Sequence, residues 1–96
     1  MSLPLYNLAR FDFVSIRLAV LCAQTGSLTT AARQCNLVLP AASRRLKELE
    51  AATGCKFFER HSRGLDITPA GRIFMRRGFA LLQEMDGLVS ELIDLN

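Results

Sequence analysis

The sequence carries one histidine, three cysteines and no run of glycines able to cradle a phosphate. Those shortages leave enzyme chemistry little to work with. The carboxylates Glu48, Glu50 and Glu59 each have Arg or Lys neighbours to pair with, and His61 stands apart from any Cys or carboxylate cluster of metal-ligand spacing. No catalytic residue, metal or cofactor is therefore expected. Cys22, Cys35 and Cys55 are an odd number at spacings of 13 and 20, which fits neither a disulfide framework nor a zinc ligand set, so reduced thiols are expected. Long apolar runs are missing too. The longest uncharged stretch, 18–32, is interrupted by Gln24, Thr25, Gly26, Ser27, Thr29 and Thr30, which excludes a membrane helix there. Residues 1–10 lack a basic start followed by an apolar run and a small-residue cleavage site. The expectation is a cytoplasmic protein with no membrane partner.

What is present is a short chain with unevenly placed charge. Its 96 residues, half of them apolar, suit one domain. A domain of this size buries only about 60 to 65% of its unfolded surface, which leaves room for help from a second subunit. The formal net charge of +3 hides an asymmetry. Residues 1–26 carry net +1, 27–77 carry net +6 and 78–96 carry net −4. The central segment has the electrostatic footprint of a polyanion binder, although a solvated basic face would look the same by charge alone.

Periodicity and caps supply the elements. Phe13, Ile16, Val20 and Ala23 recur at helical spacing and predict a helix over 11–24 with one apolar face. Gly26 supplies a left-handed stop and Ser27 an N-cap for a short second helix over 28–35, where Ala31, Ala32 and Cys35 allow close approach. Pro40 suits a first helical residue, so a third helix is expected over 40–52, burying Ala42, Leu46 and Leu49. Ala41, Ser43, Arg44, Lys47 and Glu48 are then left facing solvent or a ligand. Two helices joined by a four-residue turn describe a helix-turn-helix. Strand candidates at 56–59 and 65–67 flank a basic tip at 60–64. Thr68 and Pro69 open a last helix of about 40 Å. Its apolar residues Leu81, Met85, Leu88, Leu92 and Leu95 follow spacings of 4, 3, 4 and 3, with Phe74 one heptad earlier. Met75, Phe79, Leu82, Val89 and Ile93 form a second stripe. So small a protein has little body to cover both stripes, and pairing with the same helix of a second chain is expected.

Four motifs in register, Ser27-Leu28-Thr29-Thr30-Ala31-Ala32-Arg33, Pro40-Ala41-Ala42-Ser43-Arg44-Arg45-Leu46-Lys47-Glu48-Leu49-Glu50, Gly54-Cys55-Lys56-Phe57-Phe58-Glu59-Arg60 and Thr68-Pro69-Ala70-Gly71, resemble the N-terminal domain of LysR-type transcriptional regulators. The similarity covers about 11–92. It implies a mainly α fold, a winged helix-turn-helix of three helices plus a two-stranded wing, followed by a long dimerisation helix. The expected division is 1–67 for the DNA-binding domain and 68–96 for the linker helix. The effector-binding domain that follows the linker in this family is expected to be absent, and with it any small-molecule inducer. Cys22, Cys35 and Cys55 fall where the family has aliphatic core residues, so packing is their expected role. His61 falls among variable wing residues and is expected to be solvated and dispensable.

The implied function is sequence-specific binding of double-stranded operator DNA by a homodimer, with helix 40–52 in the major groove and wing 60–64 in the minor groove. Leu39, Pro40, Ala41, Ser43 and Arg44 become the expected base readers, with Arg44 suited to a bidentate contact with guanine. Ser27, Thr29, Lys47 and Arg60 are expected on phosphates and Arg63 in a narrow minor groove. Arg45, Arg72, Arg76 and Arg77 are as well explained by solvated surface. Phe74, Leu81, Met85, Leu88, Leu92 and Leu95 are expected at the dimer seam. One departure stands out: Val38-Leu39 occupies the place where the family usually has Ser-Gln, a helix cap and a base-reading amide. Either thymine-rich half-sites or weaker specificity should follow. The alternative function is a winged-helix protein-interaction module, such as a truncated regulator forming heterodimers with a full-length relative.

Overall fold

Asp12 fixes where the first helix begins. In the computed structural model, which describes residues 8–96, Asp12 Oδ1 accepts from the Ser15 N–H at 2.8 Å. The expectation for residues 1–10, and the start of the 1–67 domain, fall largely outside that range. A carboxylate at this position satisfies a free N–H and complements the helix dipole. Helix α1 (Phe13–Thr25) therefore starts two residues later than the predicted 11, after a 3-10 turn at Leu8–Phe11. Gly26, at φ 70°, closes it in the expected left-handed geometry. Ser27 Oγ then accepts from the Thr30 N–H at 3.1 Å and opens α2 (Leu28–Gln34). A turn of four residues leads to α3 (Leu39–Thr53), one residue longer at each end than predicted, with Pro40 in its first turn.

These helices close a core of Leu18, Ala19 and Cys22 from α1, Leu28, Ala31 and Ala32 from α2, Ala42, Leu46 and Leu49 from α3, and Phe57 and Phe58 beyond them. The α3 stripe is the one periodicity predicts, and each fully buried leucine contributes about 1.5 to 3 kcal/mol. The α1 face differs from its prediction. Val20 is buried as predicted, together with Ser15, Leu18, Ala19 and Cys22, whereas Phe13 is 45% exposed and Ile16 and Ala23 only half-buried. The reason is that α1 is packed from two sides. Its Val20 and Ile16 meet the last helix at Gly78, where an added Cβ would lie 3.0 Å from Val20 Cγ2. A helix apolar on both flanks has no unique stripe to read.

The wing is an antiparallel pair, β1 (Phe58–His61) and β2 (Gly64–Ile67), with Phe58 opposite Ile67 and His61 opposite Gly64. The first strand begins two residues later than predicted. Phe57 is held elsewhere: its N–H donates to Glu50 Oε2 at 2.7 Å and its carbonyl accepts from the Thr68 N–H at 2.9 Å. The loop is correspondingly tighter, with only Ser62 and Arg63 between the strands, so Arg60 and His61 stand in β1 rather than in a five-residue tip. Gly64 seats the wing against the turn between α1 and α2. Its φ is 132°, and a Cβ there would come within 2.5 Å of the Gly26 carbonyl, which accepts from the Leu65 N–H at 3.0 Å.

Thr68 Oγ1 accepts from the Gly71 N–H at 3.0 Å and opens α4 (Pro69–Asp94). The first turns of α4 belong to the body. Phe74, expected at a dimer seam, instead stacks on Phe57 with ring centroids 4.6 Å apart, against the core of its own chain. From residue 83 onward every position is exposed. The three thiols are free and divide by depth: Cys22 is buried, Cys35 half-buried and Cys55 exposed. Cys55 thus departs from the expected core role, because it lies just past the Gly54 cap, where the chain leaves α3.

Candidate nucleic-acid interface

The start of α3 is exposed and lacks a side-chain cap. Val38 occupies the N-cap position and makes no side-chain bond to the helix, so the first N–H groups of α3 stay open to an outside acceptor. The positive end of the helix dipole points the same way. Leu39 and Pro40 are exposed beside these groups, and Ala41 is half-buried.

On one flank of this helix end lies a groove of about 430 Å³ between the helix-turn-helix and the wing, lined by Ser27, Thr29, Leu39, Pro40, Ser43 and Arg60 among others. Six residues expected to contact DNA, from three elements, therefore share one wall. A hydrogen bond ties the elements together: Arg60 Nη2 donates to Ser43 Oγ at 3.1 Å, from β1 to α3. On the other flank a more open depression of about 670 Å³ is lined by Arg10, Pro40, Ser43, Arg44, Lys47, Glu48 and Ala51. Pro40 and Ser43 border both depressions, so the α3 start forms the ridge between them. Arg44 is exposed and only loosely held, its Nε 3.9 Å from Glu48 Oε1. Lys47 and Arg63 are exposed as well, and Ala41 and Arg63 line neither depression.

Other cations are held in the body. Arg45 Nη1 lies 3.2 Å from Asp12 Oδ1 and donates to Ser15 Oγ at 3.3 Å, fastening α3 to the start of α1. Arg17 donates to the Gln34 carbonyl at 3.3 Å, at the end of α2 where a cation suits the dipole. Sequence reasoning missed two neighbours of the ridge. Arg10 precedes any periodic segment and gave no signal. His61 is exposed, as expected, but stands in β1 with both ring nitrogens engaged: Nδ1 accepts from the Arg63 N–H at 3.1 Å and Nε2 lies 3.1 Å from Asp66 Oδ1. Burial raises the Cys22 thiol to about 12 and raises that of Cys35 as well. Among the described residues no group of His, Cys, Asp and Glu could hold a metal, and no helix is long and apolar enough to cross a membrane.

The family described as "Bacterial regulatory helix-turn-helix protein, lysR family" matches residues 13–72. An uncharacterized HTH-type transcriptional regulator from the ibpB-leuC intergenic region of Azotobacter vinelandii is 31% identical over 85 residues, 88% of this chain and 59% of that protein. The HTH-type transcriptional regulator TfdS of Cupriavidus pinatubonensis is 33% identical over 72 residues, 75% of this chain and 24% of that protein. The chain thus spans 59% and 24% of the lengths of these two relatives. Among solved structures, the BenM_DBD/catB site 1 DNA complex superimposes with a TM-score of 0.81 at 30% identity, covering 88% of this chain and 94% of that one.

Proposed function

The chain belongs to the lysR family of bacterial regulatory helix-turn-helix proteins, and from that premise we propose that it binds operator DNA as a homodimer, α3 entering the major groove and the wing the adjacent minor groove. The observation that carries this reading is the single wall formed by α2, α3 and the wing, joined by the bond from Arg60 to Ser43. A wing tied to the reading helix delivers its cations in fixed register with the bases that the helix meets. In this division 1–67 hold the DNA-binding body and 68–96 the linker and dimerising helix, the first turns of which are built into that body. A regulator of this kind works in the cytoplasm, beside the chromosome.

Leu39, Pro40, Ala41, Ser43 and Arg44 read base edges. Arg44 is free to fork onto guanine O6 and N7, and the apolar Leu39, Pro40 and Ala41 meet thymine methyls. Ser27, Thr29, Lys47 and Arg60 hold phosphates, which sets orientation without carrying sequence information. Arg63, at the wing tip, enters a narrow minor groove, where the negative potential is deepest. Leu81, Met85, Leu88, Leu92 and Leu95 form the seam with the second copy.

Selection from a random duplex pool with the purified chain tests this. The expected product has two half-sites whose centres differ by a whole number of helical turns, about 10 base pairs each, with thymine favoured opposite Leu39. In Arg44→Ala one guanine position loses its preference, at a cost of about 1 to 3 kcal/mol on the preferred duplex. Enrichment of a base at the Leu39 position whose reading needs an amide would contradict the assignment of Leu39, and no enrichment at all would contradict the reading as a whole.

A further inference from the structure

The turn of the wing is not of the kind commonest for its length, although Gly64, at φ 132°, is the residue that an ordinary turn prefers at its fourth position. Two-residue hairpin loops favour mirror-image turns, which need a positive φ at one or both central residues. Among the described non-glycine residues only Asn36 has a positive φ, so neither Ser62 nor Arg63 supplies one. Turns of the ordinary hand splay the strands and are normally helped by Asn or Asp at the first position, whose side chain accepts from the N–H two residues on. His61 stands at that position. Its Nδ1 accepts from the Arg63 N–H at 3.1 Å, the same i to i+2 bond made by an imidazole in place of a carboxamide.

The second ring nitrogen works across the ladder. With Nδ1 as acceptor, the neutral ring carries its proton on Nε2, which then donates to Asp66 Oδ1 at 3.1 Å. Asp66 needs such a partner, because its cross-strand neighbour is Glu59, a like charge directly opposite. One side chain thus closes the turn and offsets an acidic pair. The base of the wing is fixed separately, by the Leu65 N–H on the Gly26 carbonyl and by Arg60 on Ser43. What remains to be set is the tip, and the tip carries Arg63.

We propose that His61 is the positioning residue of the wing: its two ring nitrogens lock the turn so that Arg63 is presented to the minor groove in one orientation. The proposal rests on the reading of the wing as a DNA contact. It reverses the expectation that His61 is dispensable, and it makes the Arg63 contact conditional on His61.

Two measurements on the full chain test it. In the free protein, amide exchange at Arg63 is expected to quicken about tenfold or more in His61→Ala and to return close to the native rate in His61→Asn, whose carbonyl accepts the same bond. Unchanged exchange in His61→Ala overturns the proposal. On an A/T-rich duplex, His61→Ala and Arg63→Ala are each expected to weaken binding about tenfold, with the double variant no weaker than either single one. Multiplied losses in the double variant, or a His61→Asn that binds as poorly as His61→Ala, overturn it as well. A native chain that binds no duplex contradicts the DNA reading and leaves Arg63 with nothing to be presented to, whereas amide exchange judges the locked turn itself with or without DNA.

Discussion

Arg44, Arg45 and Arg60 carry the same guanidinium and are held in three ways: one by a loose pair with Glu48, one by Asp12 and Ser15 at the start of α1, one by Ser43 from the wing to α3. The first was legible in the sequence, since Arg44 lies off the predicted stripe of Ala42, Leu46 and Leu49. The second was not, because Asp12 is 33 residues away and no local pattern pairs them. The partners of His61 escape the sequence for a similar reason: they depend on a strand register that a five-residue loop would not give. Cys22 yields a prediction at this scale. Burial raises its thiol from 9.0 to about 12. Between those values the unfolded chain releases this proton and the folded one keeps it, so the unfolded state binds fewer protons and stability falls as pH rises. Denaturant midpoints are expected to drop with pH from about 9 upward, and Cys22→Ala, less stable at neutral pH, should show a shallower drop. An equally steep drop in that variant would assign the effect to other groups.

Among the elements, the caps were the most legible features. Ser27, Thr68, Gly26 and Pro40 each act at the end where the sequence places them, because a cap is a local interaction of adjacent residues. The buried face of α1 and the limits of the wing were not legible, since tertiary neighbours set both. The uncapped start of α3 makes Val38→Ser informative: the hydroxyl would meet a free N–H, and thermal unfolding should show about 1 kcal/mol of added stability. No gain would mean that another group already serves those N–H groups. In α4 the two halves differ in charge, Arg72, Arg76 and Arg77 in the first and Glu84, Asp86, Glu91 and Asp94 in the second. An antiparallel pair sets opposite charges side by side, whereas a parallel pair opposes like ones. Leu88 and Leu92, 54% and 57% exposed, lie outside the core of their own chain and on the proposed seam. The double change to Glu is therefore expected to leave the helical content intact and shift sedimentation to the monomer; a dimer that survives it would place the seam elsewhere.

Over the whole molecule the charge asymmetry and the fold have one explanation. The segment at net +6 supplies the ridge, the wing and, with Arg10 from outside it, the two flanks, and the segment at net −4 is the projecting part of α4. The protein measures 48 Å along its longest axis, with much of the apolar surface of α4 left uncovered by its own body. Two such chains joined along α4 would set two basic faces on one duplex. The measurement that tests this account most directly is the affinity for a duplex enriched by the chain, followed across salt concentration. A dimer that neutralises about eight phosphates predicts a slope near −7 in log affinity against log salt, from about 0.9 counterions released per phosphate. A flat response would contradict it, and would return the basic face to the role of a solvated surface.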